Sequence, residues 1–178
     1  FVNAVGLTNP GAEVSADLLS RLTIPEDRFL MTSIFGGSVE EFVTVAQMLA
    51  PYSDGLELNL SCPHAAGYGM AMGQDPDLVY EIVSAVKAAV SIPVIPKLTP
   101  NTDNIAGIAL AAERAGADGL CAINTLGPGQ SSSFGHAVLS NGSGGLSGKG
   151  ILPIALKCIR EIRQVTELPI IGCGGASS

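Results

Sequence analysis

The stretch Leu56-Glu57-Leu58-Asn59-Leu60-Ser61-Cys62-Pro63-His64 is an apolar run that turns abruptly polar and ends in a thiol, a proline and an imidazole. Leu56, Leu58 and Leu60 alternate with Glu57, Asn59 and Ser61, the period expected of an extended strand. Pro63 lacks the N–H that a strand ladder needs, so it marks the strand's end. The polar residues therefore gather where strand becomes loop, which in parallel α/β architectures is where substrates and cofactors sit.

Outward from this strand the pattern repeats. Downstream, Asp75-Pro76 reads as a helix N-cap followed by proline at the first helical position, with Leu78, Val79, Ile82, Val83, Val86 and Ala89 as the buried face. Ile92 to Thr99 then reads as a strand, Asp103 to Ala115 as a helix and Gly119 to Leu126 as a strand. Residues 127–150 are rich in Gly and Ser without helical periodicity, and are expected to form a long functional loop. Ile151 to Val165 predicts a helix and Leu168 to Ile171 a last strand. Upstream, Ser38 with Glu41 is a capping box that opens an amphipathic helix through Leu49. Before it lie a strand from Arg28 to Phe35, a helix from Ala12 to Leu22 and a turn-rich entry from Asn3 to Gly11. Short apolar strands alternating with helices imply right-handed βαβ units and a parallel sheet. Five such strands are visible. A closed (β/α)8 barrel needs about 250 residues, so this α/β chain is expected to supply five of its eight units, as a fragment of a longer protein.

Composition narrows the function. With 178 residues, 47% of them hydrophobic and 14% charged, the chain can build one ordinary core, and a single domain over 1–178 is expected. The net charge of -7 comes without a Lys/Arg run, which argues against nucleic acid and anionic membrane surfaces and for a small-molecule partner. The four cysteines show no C-x-x-C spacing and predict neither a zinc site nor a redox pair, as in a cytoplasmic protein with reduced thiols. No leader and no apolar stretch of about eighteen residues is present, so no membrane span is expected.

Each strand ends in polar or glycine residues: Ser33 and Gly36, Asn59 and Cys62, Lys97, Asn124-Thr125, and Gly172-Cys173-Gly174-Gly175. Singly, each has an ordinary explanation, since a buried cysteine is usually inert, an Asn before a turn usually caps backbone, and a Lys at a strand end is usually solvated. A parallel barrel would bring all five to one rim, which favours a site. Cys121 and Cys158 fall within apolar periodicity and are read as core. Gly144 to Gly150 is not a P-loop, because Ser143 holds the position of the first glycine and Gly150 that of the Ser/Thr. What remains is a pair of glycine-rich turns suited to cradling a phosphate on backbone N–H groups.

Several phrases, in order along nearly the whole chain, resemble the class 1 dihydroorotate dehydrogenases and the related flavin domain of dihydropyrimidine dehydrogenases. They are Asn3-Ala4-Val5-Gly6-Leu7 with Asn9-Pro10-Gly11, Asn59 to Pro63, Pro96-Lys97-Leu98-Thr99-Pro100-Asn101, Ile123-Asn124-Thr125, Gly144-Gly145-Leu146-Ser147-Gly148, and Ile170-Ile171-Gly172 with Gly174-Gly175. The resemblance implies an FMN-containing (β/α)8 barrel that interconverts dihydroorotate and orotate in pyrimidine synthesis. It implies Cys62 as the base at C5, and Asn3, Ala4, Val5, Gly6, Leu7, Asn59, His64, Asn124 and Thr125 as substrate contacts. Asn59, Lys97, Ile123, Gly148, Gly174 and Gly175 are implied to hold FMN. A cysteine base matches the soluble class. In its NAD-linked subclass the partner is an electron-transfer subunit with FAD and an iron–sulfur cluster, and a homo-oligomer is expected.

The resemblance has departures. His64, and Gly73-Gln74-Asp75-Pro76, look like the dihydropyrimidine branch, whereas Leu139 to Gly148 and Asn3 to Pro10 look like the dihydroorotate branch, which is preferred. The family's first two strands and its last are missing, so the chain corresponds to strands 3 to 7 of the barrel, with open edges near Phe35 and Ile171. Two readings of other classes stay open: a Schiff-base aldolase using Lys97, and an inactive fragment that only binds a partner.

Overall fold

The computed structural model describes residues 1–6, 8–61, 69–130, 132–133, 136–137, 139–140 and 142–177. In chain order its elements are β1 (Val2–Asn3), α1 (Ala12–Ser20), β2 (Met31–Ile34), α2 (Val39–Leu49), β3 (Gly55–Asn59), α3 (Pro76–Ala89), β4 (Val94–Leu98), α4 (Ile105–Arg114) and β5 (Leu120–Ala122). Next come β6 (Leu126–Gln130), β7 (Ser132–Ser133), β8 (His136–Ala137), β9 (Ser143–Leu146), α5 (Leu152–Arg163) and β10 (Ile170–Gly172). Five strands form one parallel sheet in the order β10-β5-β4-β3-β2. Helices α2 to α5 connect or follow these strands, giving an open part of a (β/α)8 barrel. Its outer strands are β2 and β10, and Ile171 on β10 is 39% exposed.

Local chemistry explains the helix starts. Ser38 caps α2 by accepting the Glu41 N–H, and Asp75 caps α3 by accepting the Asp77 N–H ahead of Pro76. In α4 the cap is Asn104, whose side chain accepts from Gly107 N–H, so the helix starts later than the Asp103 start read from sequence. The alternation in β3 sends Leu56, Leu58 and Leu60 into the core with Phe42, Val79, Ile82, Val83 and Ile108, all fully buried. Each such leucine contributes about 1.5–3 kcal/mol relative to exposure. The opposite face of β3 carries Glu57 and Asn59.

The segment expected to be one long loop instead contains four short strands, β6 to β9, among its described residues. β9 pairs antiparallel with both β1 and β6, and β7 pairs with β8. Val2 lies opposite Leu146 and Asn3 opposite Gly145, so the turn-rich entry read from sequence also includes a strand. The β1–β9 and β6–β9 pairings join residues far apart in the chain through glycines that carry no apolar alternation. Gly144 is required by a close approach: a Cβ there would run into the Asn3 carbonyl oxygen and the Leu139 side chain. Gly144→Ala in the full-length protein should therefore cost about 1–3 kcal/mol of stability. Urea denaturation measures it, and an unshifted midpoint would mean that β1 does not lie against β9 in this way.

Candidate functional site

The parallel register carries the polar tips to one end of the sheet. Ser33 stands beside Glu57, Asn59 beside Lys97, and Lys97 beside Cys121. Because β3, β4 and β5 alternate in phase, Glu57, Asn59, Lys97 and Cys121 face away from the helix-covered leucines. Glu57 is only 7% exposed, and its carboxylate accepts from the Ser33 hydroxyl at 2.9 Å and from the Lys97 ammonium at 3.5 Å. The ion pair aims Lys97 at the sheet interior, where its side chain keeps 25% exposure. It is not the solvated lysine that its residue type alone would favour.

Two asparagines form the second part. Ser61 N–H donates to Asn59 Oδ1 at 3.2 Å, and Thr125 N–H donates to Asn124 Oδ1 at 2.8 Å. A backbone N–H can only donate, so these contacts fix which end of each amide is oxygen. Asn124 Nδ2 then donates to Asn59 Oδ1 at 3.0 Å. The consequence is chemical polarity: among the described residues Asn59 Nδ2 has no partner, and Asn124 Nδ2 has one proton to spare. The pair offers donors to a ligand's carbonyl or carboxylate oxygens. Beside it, Ser61 Oγ is buried with no partner among the described residues.

The third part is a glycine cradle. Gly148, Gly174 and Gly175 have φ of 85°, 115° and 78°, the left-handed region that favours glycine. A Cβ on Gly175 would lie 2.7 Å from the Gly148 carbonyl oxygen, and one on Gly174 would lie 3.0 Å from Ala155 Cβ and 3.3 Å from Ile123 Cγ1. Side chains are thus excluded from two turns that approach each other. No hydrogen bond engages the Gly174 or Gly175 N–H among the described residues. Free backbone donors in a turn without side chains suit an anionic phosphate, and the buried Ile123 beside them suits a flat apolar ring. The donor set therefore fits a phosphate carried on an apolar ring.

Other expected site residues lie differently. Asn3 donates its amide to Ser147 Oγ at 3.2 Å and to Gly145 O at 3.4 Å, fastening β1 to β9. Ala4, Val5 and Gly6 follow it on the surface, Val5 being 73% exposed. Cys62, His64 and Leu7 lie outside the described residues. Cys121 and Cys158 are buried, as read from sequence, but Cys121 is no ordinary core residue: its Sγ is 3.6 Å from Cys173 Sγ. Burial first, and then the Glu57 carboxylate, push the Cys121 thiol well above the usual range. Sequence reading passed over Glu57 and Asn101 as site-forming residues. For Glu57 the signal was its place in the period-two alternation, in phase with Asn59.

Comparison with known proteins gives a consistent result. The chain matches the dihydroorotate dehydrogenase family along residues 1–178. It is 49% identical over 181 residues to the protein named dihydroorotate dehydrogenase B (NAD(+)), catalytic subunit, of Pyrococcus horikoshii, a match covering 100% of this chain and 58% of that protein. The protein of the same name from Methanothermobacter thermautotrophicus is 46% identical over 177 residues, covering 98% and 58%. The chain thus spans somewhat over half the length of these relatives. A crystal structure of ligand-free dihydroorotate dehydrogenase from Eimeria tenella superimposes with a TM-score of 0.80 at 21% identity, covering 99% of this chain and 58% of that one, a likeness of fold. Among the described residues no helix is long and apolar enough to cross a membrane.

Proposed function

Since the chain belongs to the dihydroorotate dehydrogenase family, we propose that the full-length protein oxidises dihydroorotate to orotate with FMN, in pyrimidine synthesis. FMN, when bound, supplies the acceptor for the hydride that leaves C6 of the substrate. Asn59, Lys97, Ile123, Gly148, Gly174 and Gly175 would hold it, the last two glycines by N–H groups that have no partner among the described residues, suited to a phosphate, and Lys97 by its ammonium, suited to an electron-rich ring. Cys62 Sγ takes the proton from C5, which a neighbouring carbonyl acidifies; a thiol of lowered pKa suits this work near neutral pH. Asn59, Asn124 and Thr125, with residues 3–7 and His64, orient the pyrimidine. The five parallel strands are assigned to strands 3 to 7 of the barrel, and the whole 1–178 segment to its flavin-binding part.

The observation that carries this reading is the locked Asn59–Asn124 pair, whose remaining amide protons match the carbonyl and carboxylate oxygens of orotate. A soluble, cytoplasmic homo-oligomer served by an electron-transfer subunit with FAD and an iron–sulfur cluster completes the proposal; the name of the Pyrococcus relative, a catalytic subunit of an NAD-linked enzyme, supports the further subunit alone. A Schiff-base role for Lys97 is disfavoured by its ion pair with Glu57. The dihydropyrimidine alternative rests on His64 and Gly73-Gln74-Asp75-Pro76 and is tested directly. Purified full-length protein should be yellow, and dihydroorotate added without air should bleach it. Faster turnover of uracil with reduced nicotinamide than of dihydroorotate would transfer the protein to the dihydropyrimidine branch.

A further inference from the structure

The carboxamide of Asn101 spends all its specific bonding on the two loops that flank the substrate amides. Its Nδ2 donates to the Thr125 carbonyl oxygen at 3.1 Å and to Thr99 Oγ1 at 3.1 Å, and its Oδ1 accepts from Gly127 N–H at 2.8 Å. The Asn101 N–H also donates to Thr99 Oγ1 at 3.2 Å, and Thr99 is 3% exposed. The Gln74 side chain donates to the Asn101 carbonyl oxygen from the turn that precedes α3. Gly127 N–H fixes Oδ1 as the acceptor, so Nδ2 must face the Thr125 carbonyl, and the orientation is not exchangeable. The side chain of Asn101, three residues past the end of β4, therefore holds the chain just beyond Thr125 at two atoms, the Thr125 carbonyl oxygen and the Gly127 N–H.

Thr125 is also bounded on its side-chain side. A Cβ on Gly145 would collide with its hydroxyl and Cβ, so β9 presses on its side chain while Asn101 ties its backbone. Thr125 N–H in turn sets the Asn124 amide, which sets Asn59 through the bond between them. Moving Thr125 would rotate the Asn124 carboxamide and turn its donors away from the ligand. We propose that Asn101 is a positioning residue for substrate recognition, holding the Thr125–Gly127 backbone, and through the Thr125 N–H the Asn124 carboxamide, in register with Asn59 without itself touching the pyrimidine. This rests on the pyrimidine reading of the site.

The test uses the full-length holoprotein and orotate as the probe, followed by the change in the flavin absorption spectrum. Asn101→Ala should raise the orotate dissociation constant about tenfold, equivalent to about 1.4 kcal/mol, with FMN content unchanged. For dihydroorotate the loss should appear in KM more than in kcat. Asn101→Asp, which keeps the acceptor for Gly127 N–H but sets an oxygen against the Thr125 carbonyl, should weaken orotate equally and serves if the alanine variant fails to fold. Hydrogen exchange at Gly127 N–H should quicken in Asn101→Ala and stay slow in Asn101→Asp. Unchanged orotate binding in a folded variant of either kind overturns the proposal. If the unaltered protein binds no orotate, the pyrimidine reading falls instead. The tether is then judged on Gly127 alone: quickened exchange in Asn101→Ala upholds it, and unchanged exchange overturns it.

Discussion

Alanine in place of Cys62 is expected to leave FMN on the full-length protein and to slow its reduction by dihydroorotate about 10²- to 10⁴-fold, the usual contribution of one positioned general base. The expectation rests on where Cys62 falls in the chain, three residues past Asn59 and at the end of the alternation that builds β3. Cys121 and Cys158 are poor substitutes. Burial raises the Cys121 thiol, with Glu57 adding to it, and burial raises Cys158, with Glu161 adding to it. Cys173 lies against Cys121 in the sheet interior. A thiol must lose its proton to act as a base, and buried thiols near carboxylates resist that. Anaerobic stopped-flow reduction at neutral pH is the measurement. Reduction of the variant at the unaltered rate would remove Cys62 from the chemistry, and loss of FMN would show that it supports the cofactor instead.

The parts of this fold that could be read from sequence are those whose causes are local. Ser38 with Glu41, and Asp75 with Pro76, signal helix starts through atoms a few residues apart, and both caps form. Even there the pairing shifts: Glu41 Oε2 reaches Gly37 N–H at 2.6 Å, one residue before the cap that the capping box would serve. The strand expected over Ile92 to Thr99 is shorter, Val94–Leu98, since its paired register runs only from Val94 to Leu98. β1, β6 and β9 escaped notice for a different reason. Val2 and Leu146 meet only through the tertiary fold, and the Gly-Ser phrases between 127 and 150 carry no side-chain alternation for a pattern to reveal. At the site, sequence placed Asn59, Lys97 and Asn124 at strand ends, but it could not say which atoms face each other. That Asn59 Oδ1 is occupied twice, and Nδ2 without a partner among the described residues, depends on Asn124 arriving from the end of β5 to join the local Ser61 N–H.

Replacing Lys97 with methionine should separate what this side chain does for the fold from what it does for the cofactor. The variant leaves the Glu57 carboxylate, 7% exposed, with the Ser33 hydroxyl but without a cation. Removing one partner of a fully buried pair costs about 3–5 kcal/mol. Lys97 keeps 25% of its side-chain surface in solvent and Ser33 stays in place, so about 2 kcal/mol is expected. FMN affinity should fall about tenfold as well, from loss of one charge-assisted contact. Adding Glu57→Leu to Lys97→Met removes the stranded carboxylate and should recover most of the stability, because a buried pair exchanged for apolar groups is close to neutral. It should recover none of the FMN affinity, since the ammonium is still missing. Urea denaturation of the flavin-free full-length proteins gives the first quantity and flavin fluorescence titration the second. If the double variant is no more stable than the single one, Glu57 is not held by Lys97 in the way the 3.5 Å contact implies. If FMN affinity returns with stability, Lys97 serves the flavin only by keeping the sheet interior intact.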